Sequence, residues 1–200
     1  DEDLANDEVL MKNKRALPSK VLTKEGYKKT KLGWIPEEWE MVKLNDLASQ
    51  EKSSISNGPF GSDLLSSELT NSGIPVIYIR DIKRFKFNWK SNVYVTEEKA
   101  ESLSAARVRL NDLLITKVGS PPCEVAIYKN SDSSAIITQD VVKIRVSNDA
   151  DPIFLMYLLN SSIGINEINK IKIIGTRERF SLTEFRKINL PLPPLPELNT

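Results

Sequence analysis

The side chains best suited to an interaction of their own are cationic. Arg80, Lys83, Arg84, Lys86 and Lys90 fall within eleven residues and form the densest basic cluster in the chain. A guanidinium grips the O6 and N7 acceptors of guanine with two hydrogen bonds, worth roughly 1–3 kcal/mol of discrimination. A lysine ammonium suits phosphate instead. The other reading of this cluster is a solvated strand face. Arg177 and Arg179 follow Gly175 and Thr176 and can reach a DNA backbone or base edge from a loop, or pair with Glu178 or Glu184. Lys117 ends an apolar run, where it meets phosphate or snorkels at a sheet edge. In Asn57-Gly58-Pro59-Phe60-Gly61-Ser62 the glycines permit close approach. Backbone amides there, with the Asn57 and Ser62 side chains, form a turn of the kind that attracts anions. The alternative is a structural turn with Phe60 plugging the core. Gln139 has the donor and acceptor to read adenine. Flanked by Ile136, Ile137, Val141 and Val142, it is read instead as a strand-end residue.

Bond-making chemistry is harder to assemble. The chain contains no histidine and one cysteine, Cys123. That excludes zinc sites of Cys/His type, histidine-dependent triads and an internal disulfide. Ser120-Pro121-Pro122-Cys123 has the outline of the polar-Pro-Pro-aromatic loop that holds a flipped base in amino-methyltransferases, but the aromatic is missing. Glu97-Glu98-Lys99 is only a fragment of a nuclease motif, and Asp140 with Lys143 is too generic for magnesium. The expectation is no catalytic residue, no metal and no cofactor.

The net charge of +1 is unevenly spread: without the acidic residues 1–8, 28 basic side chains face 22 acidic ones. This modest excess fits a protein that binds DNA with help from partners. No apolar run approaches membrane-spanning length, the longest being Ile153–Leu159. With no leader-like start and a single cysteine, a cytoplasmic location is expected.

The elements that must position these residues follow from patterning. Residues 1–17 read as a helix, with acids early and Lys12, Lys14 and Arg15 late, closed by Pro18. Residues 19–33 read as a linker with a boundary near Lys31, and 53–62 as a loop. Asp63–Leu69, Glu97–Ala106, Asp151–Asn160 and Thr183–Lys187 read as helices. In the third of these, Asp151 caps, Pro152 opens the first turn, and Phe154, Leu155, Leu158 and Leu159 make the buried face. Strands are expected over Ile74–Ile82, Val93–Val95, Leu113–Val118, Glu124–Tyr128, Ile136–Gln139 and Val141–Val146. Phe85, Phe87 and Trp89 alternate as on a half-buried strand, for cross-strand packing or for stacking bases. The end, Ile188–Thr200, reads as an extended, partly polyproline-like spacer. The irregular order of elements predicts an α+β fold: a strongly twisted, mostly antiparallel sheet with a few short helices.

Four segments, in order, resemble the specificity subunits of type I restriction–modification systems: Tyr27–Leu44, Asn57–Leu64, Gly73–Ile82 and Gly175–Glu197. The resemblance covers roughly residues 27–197 and implies a DNA methylase specificity-domain type of fold without catalytic residues. It implies an N-terminal helix and linker over 1–30, a DNA target recognition domain over 31–190, and a proline spacer over 191–200 leading into a conserved helix that lies beyond the sequence. Members read one half of a bipartite site on double-stranded DNA. Adenine methyltransferase subunits and restriction translocase–nuclease subunits are the implied partners. The spacer departs from the usual Pro-Glu-Gln ending, since Leu198 follows Pro196-Glu197. Two rival readings stay open: the recognition segment of a longer single-chain restriction–methylation enzyme, and a protein-interaction adapter.

Overall fold

Where apolar residues run without alternation, a strand is buried on both faces. Leu113–Ile115 and Val141–Val142 are such runs, continued by the buried Thr116, Lys143 and Ile144, and their strands are the centre of the fold. The computed structural model describes residues 24–130 and 134–194; the expected 1–17 helix and the last residues of the spacer lie outside them. The strands up to the first helix are β1 (Tyr27–Thr30), β2 (Gly33–Pro36), β3 (Glu40–Lys43), β4 (Ile55–Asn57), β5 (Ile74–Ile77), β6 (Ile82–Lys83), β7 (Lys86–Phe87) and β8 (Tyr94–Val95). After it come β9 (Arg107–Val108), β10 (Leu113–Thr116), β11 (Val125–Ile127), β12 (Ala135–Ile137), β13 (Val141–Ile144), β14 (Lys172–Ile173), β15 (Arg179–Phe180) and β16 (Asn189–Leu192). The helices are α1 (Glu97–Ser102), α2 (Pro152–Asn160), α3 (Ser162–Ile171) and α4 (Leu182–Phe185).

The α+β, mostly antiparallel architecture expected from the sequence is present, divided between two four-stranded sheets. The central sheet, β11-β10-β13-β4, is antiparallel throughout. The second, β8-β5-β12-β9, has one parallel pair, β5 with β12. Alternate residues of the central strands enter two different cores. Leu113, Ile115, Val125, Ile127, Val142 and Ile144 join α2, α3 and α4 in one. Leu114, Ala126 and Val141 join β5, β12 and α1 in the other. Each fully buried aliphatic side chain contributes about 1.5–3 kcal/mol.

Helix α2 starts as its residues dictate: the Asp151 carboxylate accepts from the Ile153 amide at 2.8 Å, and Pro152 occupies the first turn. Of its expected inner face, Leu155, Leu158 and Leu159 are buried, and Phe154 is partly so. Its last residue, Asn160, is buried and seals the β11 edge. The side-chain amide donates to the Val125 carbonyl at 2.8 Å, and its oxygen accepts from the Val125 amide at 3.2 Å. Helix α3 is not among the expected elements: Ile163, Ile168 and Ile171 pack on its inner face, but Gly164 and the charged Glu167 lie there too and obscure the apolar stripe. Gly164 is required there: a Cβ would lie 2.3 Å from the Leu159 carbonyl oxygen.

Several expectations fail for local reasons. The linker contains the β1–β2 hairpin, part of a separate unit that ends at Glu37. The Thr30 hydroxyl donates to the Gly33 carbonyl at 2.9 Å, and Gly33 adopts φ +109, so the turn falls on the boundary expected at Lys31. The 53–62 loop contains β4. The strand over 74–82 breaks after Ile77 into a tight turn at Ile79–Asp81. The helix over 63–69 is one 3-10 turn, Ser66–Glu68. Phe85, with φ +64, turns the β6–β7 hairpin, so the aromatics share no strand face. Phe85 meets Tyr157, Phe87 meets Tyr128, and Trp89 meets Tyr94 while donating to the Val76 carbonyl at 3.2 Å. They pack rather than form a ladder. The supposed spacer pairs with β3 through Leu192, burying Leu190 and Pro191.

At the end of the central sheet where β10 begins and β13 finishes, Arg145 forks onto Asp112 at 2.8 and 3.0 Å. Glu51 accepts from Arg145 at 3.0 Å and from Arg109 at 3.1 Å. Nearby Lys143 is buried and donates to the Arg107 carbonyl at 2.5 Å. Burial, then the charge of Arg145, pulls its ammonium down to about 8.

Two measurements follow. Replacing Asn160 with leucine strands the Val125 amide in an apolar environment and should lower stability by about 1–3 kcal/mol, read from the urea midpoint. Between about pH 8 and 10.5 the unfolded chain keeps the Lys143 proton while the folded chain releases it. Stability should therefore rise with pH across that window, and Lys143→Met should flatten the rise in denaturant titrations.

Candidate nucleic-acid interface

At the opposite end of the central sheet, antiparallel pairing brings the last residues of β4 and β10 beside the first of β11 and β13. The parallel pair β5 and β12 also finishes here: Thr138, just past β12, donates its amide to the Ile77 carbonyl at 3.1 Å, and Gly58, just past β4, donates to the Val141 carbonyl at 3.3 Å. Six strand ends therefore supply loops to one place. The β14–β15 hairpin joins them, with Arg179 bridged to Val118 and the Gly119 amide donating to the Glu178 carbonyl at 3.1 Å.

Those loops line adjoining clefts. One is bordered by Phe60, Lys117, Val118, Gln139, Asp140, Arg177 and Arg179. A second shares Phe60, Gln139 and Asp140 and adds Pro59, Leu64, Tyr78 and Thr138. A third continues past Phe60 to Asn57, Ser62 and Lys99. Arg80 lines none of the three; its guanidinium lies 4.5 Å above the ring of Tyr78, which lines the second, and its Nε donates to Ser91 at 2.9 Å. Residues from 57 to 179 thus meet on one surface.

The acidic side chains near this surface are partly committed. Glu178 accepts from Lys172 at 2.8 Å and Glu184 from Lys187 at 2.7 Å, so neither holds Arg177 or Arg179. Arg177 stands 3.9 Å from Asp140 and is 61% exposed. Glu68 is bound by Lys99 at 2.7 Å, whose hydrogen bond holds the carboxyl below its usual range.

The sequence-derived candidates therefore divide. Asn57, Ser62, Lys117, Arg177 and Arg179 line the adjoining clefts, and Arg80 reaches them only through the Tyr78 ring. Lys83 pairs with Glu124 at 3.2 Å, just beyond the first residues of β11. Arg84 donates to the Asn160 carbonyl at the end of α2, over the Phe85 ring, where a cation complements the helix dipole. Lys86 and Lys90 are exposed and line none of these clefts. Phe60 does not plug the core: it is 64% exposed at the loop apex. Gln139, set aside as a strand-end residue, stands between two clefts, because β12 ends two residues earlier. Tyr78 and Lys99 are not among the candidates: Tyr78 lies within an expected strand, and Lys99 is weighed only as part of a nuclease fragment. Cys123 is buried, which pushes its thiol up to about 12 and leaves it protonated, a poor nucleophile.

Residues 36–199 match the type I restriction modification DNA specificity domain. The chain belongs to this family. It is 28% identical to the type I restriction enzyme MjaVIII specificity subunit of Methanocaldococcus jannaschii, over 95% of this chain and 45% of the relative. It thus spans about half the length of the curated relatives it matches. Among solved structures, the specificity domain resembles the HsdS subunit from Thermoanaerobacter tengcongensis (TM-score 0.57, 18% identical, 99% of this chain, 42% of that one). It also resembles a chain from a study of complex assembly and conformational transition of the type I R-M system (TM-score 0.59, 19% identical, 99% and 43%). Three of the four segments that resemble this family, those containing Phe60, Tyr78–Arg80 and Arg177–Arg179, meet at the clefts. Among the described residues, no helix is long and apolar enough to cross a membrane.

Gly58 is the tightest point of the specificity domain's surface. A Cβ there would lie 2.1 Å from the Ile137 carbonyl oxygen and 2.3 Å from the Thr138 carbonyl carbon. Gly58→Ala should push the 58–62 loop away from the β12–β13 turn. A loss of about 1–3 kcal/mol in chemical unfolding is expected from the overpacking.

Proposed function

We propose that this domain reads one half of a bipartite site on double-stranded DNA and itself makes and breaks no bonds. In this reading it directs adenine methyltransferase subunits and restriction translocase–nuclease subunits to that site. The observation that carries it is the gathering of Lys117, Arg177 and Arg179 around one cleft, which adjoins the cleft lined by Tyr78, the ring on which Arg80 stacks. Cationic loops on one side of a rigid sheet fix a protein's register on phosphates, and polar side chains between them read base edges. The family supports this reading. So does the side-chain inventory, with no histidine for a general base and a protonated, buried thiol.

The complete complex carrying Lys117→Ala, Arg177→Ala or Arg179→Ala tests it. Binding to target and non-target duplexes should weaken alike, and the slope of log affinity against log salt should fall by about 1 for each phosphate contact removed. Unchanged affinity and slope in the triple variant would refute DNA binding at these clefts.

A further inference from the structure

The β12–β13 connection is a tight turn whose backbone is held on several sides. The Thr138 amide and hydroxyl both donate to the Ile77 carbonyl at 3.1 Å. The Val141 amide closes the turn onto the Thr138 carbonyl at 2.9 Å, and the Asp140 carbonyl accepts from the Lys117 amide at 2.8 Å. Gln139 is the one residue between Thr138 and Asp140. Its side chain is exposed, and its carboxamide takes part in none of the hydrogen bonds among the described residues. It stands between Phe60 and Tyr78 on one side and Lys117 and Arg177 on the other.

A carboxamide presents a donor and an acceptor side by side, matching N7 and the N6 amino group on the major-groove edge of adenine. The flanking cations suit phosphates, which carry no sequence information directly. We infer that Gln139 is a specificity-determining residue and reads an adenine in the duplex. The inference rests on the DNA-recognition reading above. Because the turn is already fixed, binding orders little beyond the side chain's own rotamers.

The test uses the complete complex with Gln139→Ala and Gln139→Glu, reading methylation rates on duplexes that vary each base pair of the half-site. Gln139→Ala should reduce discrimination at one A·T pair by about 5- to 100-fold and leave the other positions unchanged. Gln139→Glu should move the preference at that pair toward C·G, since a carboxylate accepts from the cytosine amino group. An unchanged base preference in both variants overturns the inference. An equal loss at every position overturns it too, because it marks a positioning role. If the unaltered complex shows no sequence preference that follows this domain when it is exchanged, the recognition reading fails and takes the inference with it.

Discussion

Leu114 belongs to one hydrophobic core and its neighbours Leu113 and Ile115 to another. Burying both faces of the central sheet is the constraint on which the rest of the domain depends. A sheet with one solvated face can place polar side chains along its strands. The two central strands of this one carry only Thr116 and Lys143, both buried, so most of its polar work lies at the two ends. At one end the charges satisfy one another, with Arg145 shared between Asp112 and Glu51. At the other end Arg177 meets an acid only at 3.9 Å, and Glu178 is held elsewhere by Lys172. One end thus carries a closed ionic cluster and the other open cations.

The end with the open cations is held together by backbone. Gly58, Thr138, Asp140 and Gly119 are joined to neighbouring strands and loops through amides and carbonyls. Such bonds are indifferent to which side chains project from the loops. The arrangement places Phe60, Gln139 and Arg177 on separate connections whose positions are set by strand pairing and not by contacts between their side chains.

Patterning along the chain made the middle of the fold legible. The apolar runs at 113–118, 124–128 and 141–146 became strands, and Asp151-Pro152 opened α2 as capping requires. The misses arose where long-range contacts overrode local preference. Residues 74–82 look like one strand, but the Tyr78 amide is captured by the Asp81 carboxylate at 2.9 Å and the chain turns. Pro191 reads as spacer, yet it sits opposite Met41 in a two-stranded ribbon, an edge position that tolerates proline. The candidate surface was half legible: its cations stood out by type, but neither their convergence nor the exposure of Phe60 can be read before the pairing of strands distant in sequence is known. The strand expected to reach Gln139 stops at Ile137, because strand ends read from sequence are uncertain by as much as the two residues that matter here.

Asn160 gives the β11 edge a partner drawn from the chain itself, since its amide occupies both backbone groups of Val125. An open edge would recruit a strand from another molecule and so tie solubility to whatever the nearby loops happen to carry. With that edge closed from within, the tips of the turns can be exchanged on an unaltered frame without opening a route to fibrous self-association.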